Sequence, residues 1–294
     1  MLETESEIAT AEYVPPIRPL DVEELIRTRI PTLSRTNMKI PELLRDDNCP
    51  TRKIADAVGF DPVLTTRLLK MANSSLYARR NTANSIQQAI EALGRKSVYD
   101  IVMLGAMADS FAKEIVSSIY GRILWEHSIV VGLLAREVGR LLGLRGTEEA
   151  FLCGILHDIG KILLLKAETE YYNGIIAEPS ERELLRAEEI TFGLTHAEVG
   201  AYISYKWDLP EIVCNVILYH HQPEKTTGSS VVTHIVNVAD LIANVNGYGV
   251  RLEEVEALAF SESVRLLRLE TDQITEAWAN IQDSLAEVLS MFYH

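Results

Sequence analysis

The sequence predicts an all-α protein with about a dozen helices. Apolar residues recur at the helical spacing from Asp21 almost to the end of the chain. Serine, threonine or aspartate precedes several of these segments, and glycine or proline follows them, which is the usual pattern of helix starts and stops. Alternation of apolar and polar residues never runs long enough to indicate a strand.

The start of the chain has helix signals but no group of residues with catalytic chemistry. Residues 1–19 are polar and contain three prolines, so we predict a flexible tail that leads into an extended segment. Asp21 caps the first helix. Pro31 and Pro41 are expected to separate two short segments, because proline interrupts a helix.

The next helices have clear predicted ends. Thr51–Gly59 reads as a helix that a glycine ends, and Asp61, followed by proline, is a start signal for the next one. Ser85 to Gln88 matches a capping box and opens a helix that stops at Gly94. The residues from Arg95 to about Ile119 form a longer helical region. The expected structure of residues 20–120 is a helical bundle without chemistry of its own.

A second helical region follows. Gly121 is interpreted as a joint that precedes an amphipathic helix from Ile123 to Leu142. Thr147 caps the next helix, which is expected to carry the adjacent pair His157 and Asp158. Gly160 near the end of that helix allows a bend or a close approach of another backbone.

Three later segments also read as helices. The capping box Thr195 to Glu198 places His196 in the first turn of one of them. A helix over Glu211–Tyr219 follows a proline, and an apolar helix over Val231–Asn244 bears Asp240. The remaining residues contain helical segments without a chemical motif.

Composition excludes several classes of function. The net charge of −14 and the pI of about 5.0 oppose binding to phosphate backbones, so no nucleic-acid partner is expected, although Arg79-Arg80 and Arg95-Lys96 are local basic pairs. Three cysteines without a C-x-x-C spacing argue against a disulfide framework and a thiolate zinc site. No signal peptide and no apolar run of about 20 residues is found, so we expect a cytoplasmic protein without a membrane span. Residues 1–19 are too short for a receiver domain, so no input module is expected. The sequence assigns no oligomeric state.

Polar groups in apolar surroundings are the strongest functional signal. The stretch 151–165 is almost entirely apolar yet contains His157, Asp158 and Lys161, and burying such groups is costly unless they are paired or bind a metal. Similar helical segments contain further histidines and one more aspartate. The complete candidate set of metal ligands is His127, His157, Asp158, His196, His220, His221 and Asp240.

This set favours a site that facing helices build in the core of a bundle. Imidazole and carboxylate ligands without thiolate suit one or two divalent transition-metal ions, with Fe or Mn favoured and Ni, Zn or Co as alternatives. An aspartate can bridge two ions about 3.5–4 Å apart, as dinuclear hydrolases require. Either Glu198 or Glu211 could support the ligands by hydrogen bonds.

The order of these residues resembles the HD superfamily of metal-dependent phosphohydrolases. More specifically, the chain resembles the HDOD proteins, which contain the HD-related output domain of bacterial signalling. The resemblance covers about residues 20–225 and is carried by the segments 60–77, 85–94, 124–127, 154–161, 194–200, 207–210 and 220–221.

The resemblance implies a two-lobed helical bundle. Its N-terminal lobe is expected over residues 20–120, and an HD-like lobe with a C-terminal helical extension is expected over residues 121–294. A regulatory or scaffolding role in a signalling pathway is implied as well, with a signalling protein or a nucleotide as partner. Many HDOD proteins have lost metal ligands, whereas the ligand set of an active dinuclear HD phosphodiesterase is complete here.

If the site is catalytic, the resemblance assigns the ligands to two ions. One ion is held by His127, His157, Asp158 and Asp240, and Asp158 bridges to a second ion. The ligands of that second ion are His196, His220 and His221. Lys161 matches a lysine of the HD-GYP phosphodiesterases and would offset charge on phosphoryl oxygens.

The chain also departs from the HD-GYP pattern. Residues 222–225 stand where that group has an acidic residue and a Gly-Tyr-Pro loop, which weakens the expectation of cyclic di-nucleotide hydrolysis. Three hypotheses remain. The first is a signalling HDOD protein with a mono- or dinuclear metal site. The second is a metal-dependent phosphohydrolase or phosphodiesterase that acts on a nucleotide or a cyclic di-nucleotide. The third is a ligand sensor that uses the metal site to bind a nucleotide without cleaving it. A structural metal or a histidine cluster without metal are the alternatives to a catalytic centre.

Overall fold

All the regular secondary structure of the described residues is helical. A computed structural model describes residues 15–28, 35–77, 82–112, 117–143, 147–226 and 230–291. Within these ranges no residue is in a β-strand, which confirms the predicted all-α class. One hydrophobic core runs through the molecule, from Leu25 near the start to Met291 near the end.

Six α-helices are described between residues 22 and 110. The last of them, α6, is the longest and packs against α2, α4 and α5, while α3 packs against α2, α4 and α5. Their bounds are α1 Val22–Thr28, α2 Arg35–Arg45, α3 Thr51–Gly59, α4 Pro62–Asn73, α5 Ile86–Leu93 and α6 Arg95–Ser110.

The second lobe is built around one long helix, α7, which packs against the helix that follows it and against two helices from the end of the chain. Two short 3₁₀ turns lie at Ser75–Tyr77 and Pro223–Lys225. The bounds are α7 Ile119–Leu141, α8 Thr147–Leu156, α9 Ile159–Ala167, α10 Thr169–Ile175, α11 Glu181–Phe192, α12 His196–Lys206, α13 Glu211–Tyr219, α14 Ser230–Val245, α15 Glu256–Phe260, α16 Glu262–Leu267 and α17 Thr271–Ser290.

Most predicted helix ends are confirmed, because they depend on local capping chemistry. The Asp61 carboxylate accepts a hydrogen bond from the Leu64 backbone N–H at 2.9 Å and starts α4. Ser85 caps α5 in the same way, and Gly94 ends it with a φ of 80°. The capping box at Thr195 and Glu198 forms as predicted at the start of α12.

Two predicted breaks are wrong. Pro41 lies inside α2, where it is buried together with Leu44, so the packing of this helix outweighs the hydrogen bond that proline removes. Pro31 lies outside the described residues. Gly121 is not a joint but the third residue of α7, whose cap is Ser118.

The segment that precedes α1 joins the first helix to the second lobe. The backbone N–H groups of Ile17 and Leu20 donate to the carbonyl oxygens of Ile190 and Phe192, each at 3.0 Å. These bonds pair carbonyl groups that would otherwise remain unsatisfied at the end of α11. The rest of the predicted tail, residues 1–14, lies outside the described residues.

The basic pair Arg95-Lys96 makes contacts within the fold. The Arg95 guanidinium donates to the carbonyl oxygens of Leu43 at 2.8 Å and of Cys49 at 2.7 Å. Lys96 pairs with Glu149 at 3.2 Å. Arg79 and Arg80 lie outside the described residues. Among the helices described, none has the length and apolar character needed to cross a lipid bilayer.

Candidate metal centre

The seven candidate ligands lie together at the centre of the second lobe. His127 comes from α7, and Asp240 comes from α14. His196 is the first residue of α12, whereas His220 and His221 directly follow α13. The remaining two, His157 and Asp158, lie between α8 and α9.

The predicted placement of His157 and Asp158 on a helix is wrong. Helix α8 ends at Leu156 and α9 begins at Ile159, so the pair forms the turn between them. Asp158 has φ −102° and ψ 16°, which lies outside the α-helical region. The turn lets both side chains face the same centre, while apolar residues of both helices remain in the core.

The predicted close approach at Gly160 is confirmed. A Cβ atom at this position would lie 1.8 Å from the carbonyl oxygen of His196. Only glycine therefore allows the starts of α9 and α12 to touch. This contact brings Asp158 and His196 to the same side of the site.

Three histidines are oriented by backbone carbonyl groups. In each case Nδ1 lies within hydrogen-bonding distance of a carbonyl oxygen, so Nδ1 carries the proton and Nε2 keeps its lone pair. These contacts are His127 with Tyr248 at 2.5 Å, His157 with Gly154 at 2.7 Å and His220 with Ile217 at 2.8 Å. Neutral imidazoles held in this way are suited to bind a metal through Nε2.

His196 is oriented by a carboxylate instead. A Glu188 oxygen accepts from both the backbone N–H and the Nδ1–H of His196, each at 2.8 Å. The Tyr172 hydroxyl donates to the other Glu188 oxygen at 2.8 Å, and all three residues are completely buried. Burial acts to raise the pKa of Glu188, but His196 and Tyr172 lower it below its ordinary value. Glu188 therefore remains a carboxylate.

This role had been expected for Glu198 or Glu211, and that expectation is wrong. Glu198 accepts from the Thr195 backbone N–H at 2.8 Å as part of the capping box. Glu211 is exposed in the first turn of α13. Neither carboxylate supports a histidine ring.

The ligand atoms form two groups that share Asp158. In the first group, His127 Nε2 lies 3.1 Å from Asp240 Oδ1 and 3.3 Å from His157 Nε2. The Asp158 Oδ2 atom completes this group, at 3.5 Å from His157 Nε2. The ligand atoms of His127, His157 and Asp158 all lie within 4.8 Å of one another, and Asp240 adjoins this group through His127.

The second group faces the other oxygen of the same carboxylate. His196 Nε2 and His220 Nε2 each lie 3.4 Å from Asp158 Oδ1. His221 Nε2 lies 3.0 Å from His196 Nε2. Asp158 therefore stands between the two groups with one oxygen toward each, as a bridging carboxylate would.

The chemistry of the donor set fits metal ions. The buried Asp158 Oδ1 and His220 Nε2 atoms make no hydrogen bond with the described residues. Ligands about 2.0–2.2 Å from a tetrahedral or octahedral ion lie roughly 3.0–3.5 Å from one another. Most of the distances given above fall in this range, whereas His127 Nε2 to Asp158 Oδ2 at 3.8 Å and His157 Nε2 to Asp240 Oδ1 at 4.0 Å are longer. Together with the cluster of histidine and aspartate side chains, this suggests a site for divalent metal.

Lys161 connects the cluster to a second carboxylate. Its Nζ atom lies 2.8 Å from Asp158 Oδ2 and 3.1 Å from Glu181 Oε1. Burial acts to lower the pKa of Lys161, but these two carboxylates hold it above its ordinary value, so the side chain is a cation. Arg251 pairs with the other oxygen of Glu181.

Burial controls the charge of two ligands. It lowers the pKa of His157 to about 3 and that of His221 to about 4, so both rings are neutral at neutral pH. Burial acts to raise the pKa of Asp158, but Lys161 and the neighbouring histidines lower it well below its ordinary value. His157 and His221 are thus neutral imidazoles and Asp158 is an ionised carboxylate, which are the protonation states that metal binding requires.

The HDOD domain family matches residues 30–223, about two thirds of the chain. The chain belongs to this family. The match includes every candidate ligand except Asp240, which α14 contributes from beyond the matched region.

Two curated proteins are similar in sequence to part of this HDOD protein. An uncharacterized protein of Treponema pallidum (strain Nichols) is 26% identical over 205 residues, which are 67% of this chain and 39% of that protein. Ribonuclease Y of Lactobacillus acidophilus is 25% identical over 229 residues, which are 73% of this chain and 36% of that enzyme. The HDOD protein therefore spans less than half the length of both relatives.

A solved structure has the same fold. An HDOD domain protein of unknown function from Geobacter sulfurreducens is 24% identical, with a TM-score of 0.74. The alignment covers 92% of this chain and 95% of that one. This likeness confirms the all-α fold.

A cavity of about 180 Å³ opens beside the ligand cluster of the HDOD protein. We call it the metal compartment. It is lined by ligand groups, by both cations described above and by polar side chains of α14. Its polar and charged lining residues are His127, Asp158, Lys161, Glu181, His221, Asn237, Asp240, Asn244, Arg251 and Glu253.

Three residues of the site were not predicted from the sequence. Glu181 and Arg251 carry no signal of their own, because their role depends on a contact between distant segments. Glu188 does carry one, since it shares a helical face with the buried residues Leu184 and Phe192. A carboxylate on the apolar face of a charged helix indicates a buried partner.

Proposed function

We propose that this HDOD protein is a divalent-metal-dependent phosphohydrolase. The observation that carries the proposal is the shared position of Asp158, whose two oxygens face two separate groups of imidazole ligands. Such a bridging carboxylate is what a two-metal hydrolytic site needs. The proposed ligands are His127, His157, Asp158 and Asp240 for one ion, and Asp158, His196, His220 and His221 for the other.

The ions would activate a water molecule and neutralise charge on the phosphoryl group. The protein itself contributes the orientation of the ligands, through Glu188 and the carbonyl groups behind the rings. Lys161 lines the metal compartment beside Asp158 and contributes a fixed positive charge toward phosphoryl oxygens. Arg251 holds Glu181, which in turn holds Lys161.

The charges that line the metal compartment favour a fixed order of binding, in which the metal ions precede phosphate. The metal compartment is lined by the four carboxylates of Asp158, Glu181, Asp240 and Glu253 but by only two cations. Without metal it repels phosphate, and two divalent ions would reverse its charge. We therefore expect phosphate to bind only after the ions.

The size of the cavity and the net charge of the protein restrict the class of substrate. A cavity of about 180 Å³ admits a phosphoryl group but not a folded nucleic acid. The relative named ribonuclease Y supports a phosphodiester as the bond that is cleaved. The net charge of −14 disfavours long RNA, so a small phosphoester is the better candidate.

The decisive experiment combines metal analysis with an activity screen. Protein purified without oxygen is expected to contain Fe or Mn, and to hydrolyse bis(p-nitrophenyl) phosphate when it is loaded with Mn²⁺ or Fe²⁺. Asp158→Asn is expected to abolish metal binding and turnover, whereas the exposed control Asp56→Asn leaves both unchanged. Absence of metal from the anaerobic protein would overturn the proposal, and so would metal without turnover on any phosphoester.

A regulatory HDOD protein without turnover is the second candidate. The observation that favours it is the ion pair of Lys161 with Asp158 Oδ2, because this oxygen is also the ligand of the first group. An ammonium group there competes with one ion. Full metal content with no hydrolysis would favour this role, in which the site binds a nucleotide or supports a surface for a signalling partner.

A further inference from the structure

A second cavity, of about 430 Å³, lies beside the metal compartment. We call it the outer compartment. The two share His221, Asn237, Leu241 and Glu253 in their walls, so they are neighbouring parts of one groove. A molecule whose phosphoryl group lies at the ligand cluster can therefore extend into the outer compartment.

The two compartments differ in charge. Lys161 and Arg251 line the metal compartment, whereas the described lining of the outer compartment contains no lysine or arginine. Three glutamates line it instead: Glu224, Glu253 and Glu262. This wall repels a second phosphate and attracts hydrogen-bond donors.

A buried histidine of the outer compartment is not used by the metal centre. His234 is only 8% exposed, and its Nδ1 atom lies 2.8 Å from the hydroxyl of the buried Ser263. No contact of the described residues occupies its Nε2 atom. The ring is thus fixed with one nitrogen available to a ligand.

The position of His234 shows which part of a ligand it can reach. It precedes Asp240 by six residues on α14, a rise of about 9 Å along the helix axis. That distance is too long for a contact with a phosphoryl group at the cluster. This distance suits a ligand group that lies one sugar ring beyond the phosphoryl group.

Phe260 adds a planar apolar surface to this compartment. Its side chain is 86% exposed although the residue belongs to α15, so little protein covers the ring. Exposed aromatic rings beside polar groups are the usual platforms on which bases stack.

We propose that the groove binds a nucleotide with a single phosphate and an amine-bearing base, with the base in the outer compartment. Phe260 stacks on the base, while Glu262 and His234 recognise its hydrogen-bonding edge. This inference rests on the proposed phosphohydrolase function for the position of the phosphate. It disfavours cyclic di-nucleotides, because their second phosphate would face the glutamates.

CMP and UMP provide a matched test, because the exocyclic amine of cytosine replaces a carbonyl oxygen of uracil. Calorimetry on the Mn²⁺-loaded full chain is expected to show at least about tenfold tighter binding of CMP than of UMP. Glu262→Gln is expected to reduce this ratio below about threefold, since a carboxylate gives the strongest acceptor for the amine. Phe260→Ala is expected to weaken both nucleotides by about tenfold and to leave their ratio unchanged.

The controls separate this inference from the proposed function. Glu256→Gln, which alters a neighbouring exposed carboxylate outside the lining, is expected to keep the wild-type ratio. Discrimination between CMP and UMP without hydrolysis of bis(p-nitrophenyl) phosphate would support the base site and overturn the enzyme. Hydrolysis of bis(p-nitrophenyl) phosphate with equal binding of CMP, UMP and inorganic phosphate would support the enzyme and overturn the base site. Tighter binding of phosphocholine or cyclic di-GMP than of CMP would also overturn the base site.

Discussion

Glu188 illustrates how one side chain can orient a candidate metal ligand without being a candidate ligand itself. It fixes the ring and the backbone of His196 and is itself fixed by Tyr172. Replacing it by glutamine keeps the volume but removes the charge that holds Nδ1–H. We expect Glu188→Gln to lower metal affinity by about 10–100-fold, as calorimetric titration with Mn²⁺ would show.

The adjacent Glu189 offers a matched control, because it is exposed on the same helix. Glu189→Gln is expected to bind Mn²⁺ like the wild type. Equal affinities in the two variants would mean that the Glu188 contact does not support the ligand.

Lys161 is the residue whose substitution is expected to separate metal binding from the proposed catalysis. Its ammonium group lies beside Asp158 and lines the metal compartment, but it is not a ligand. We expect Lys161→Gln to retain Mn²⁺, and to bind it more tightly because a competing cation is lost. Turnover of bis(p-nitrophenyl) phosphate should fall by about 10²–10³-fold.

Whether the Lys161→Gln variant loses turnover or metal identifies the role of this lysine. A drop in turnover with full metal content fits a charge that acts on the phosphoryl group. Loss of the metal itself would show that Lys161 is needed to keep Asp158 in place, and the proposed catalytic role would then be wrong.

At the scale of the elements, the contact between α9 and α12 positions the two halves of the site. It depends on Gly160, where a Cβ atom would lie 1.8 Å from the His196 carbonyl oxygen. Gly160→Ala must push these helices apart. We expect a loss of about 3 kcal/mol in the free energy of unfolding and weaker metal binding, both measurable by denaturant titration with and without Mn²⁺.

Gly174 serves as the control for this substitution. It lies in α10, and no atom lies within 4 Å of the position of an added Cβ. Gly174→Ala should be neutral or stabilise the protein by up to about 1 kcal/mol. If both variants behaved alike, the close approach at Gly160 would have no energetic importance.

At the scale of the whole molecule, the buried histidines link stability to pH. Burial lowers the pKa of His157 to about 3 and that of His221 to about 4. Between these values and about 6.5 the unfolded chain binds more protons than the folded one, so stability falls as the pH falls. Each group can contribute up to about 1.4 kcal/mol for each pH unit in this window.

His127 acts in the opposite direction above that window. Burial acts to lower its pKa, but Asp240 raises it above its ordinary value, so its contribution to stability is lost as the pH rises through the folded pKa. We therefore expect the metal-free protein to be most stable near pH 6.5. Denaturant unfolding in the presence of a chelator should show a decrease of about 4 kcal/mol between pH 6.5 and pH 4.5.

Two comparisons test the origin of this dependence. His157→Gln should reduce the slope on the acidic side, because one of the two titrating rings is removed. Saturating Mn²⁺ should stabilise the protein more as the pH rises, since the ligands bind metal only when deprotonated. A free energy of unfolding that stays constant between pH 4.5 and pH 6.5 would contradict the burial of neutral rings.

The sequence by itself determined the helical class, most helix ends and the set of polar residues in apolar surroundings. These features are local: a capping box spans four residues, and a helical face repeats every few residues. The family resemblance added the expected order of the ligands and the role of Lys161. The breaks predicted at Pro41 and Gly121 were wrong because packing outweighed a local preference.

Only the tertiary structure decided how the cluster is arranged. The turn at His157 and Asp158, the two faces of the Asp158 carboxylate and the contact of Glu188 with His196 depend on helices that pack from distant parts of the chain. The carbonyl group that orients His127 lies 121 residues away. Residue spacing cannot encode such contacts, because they arise from the close packing of whole helices around one core.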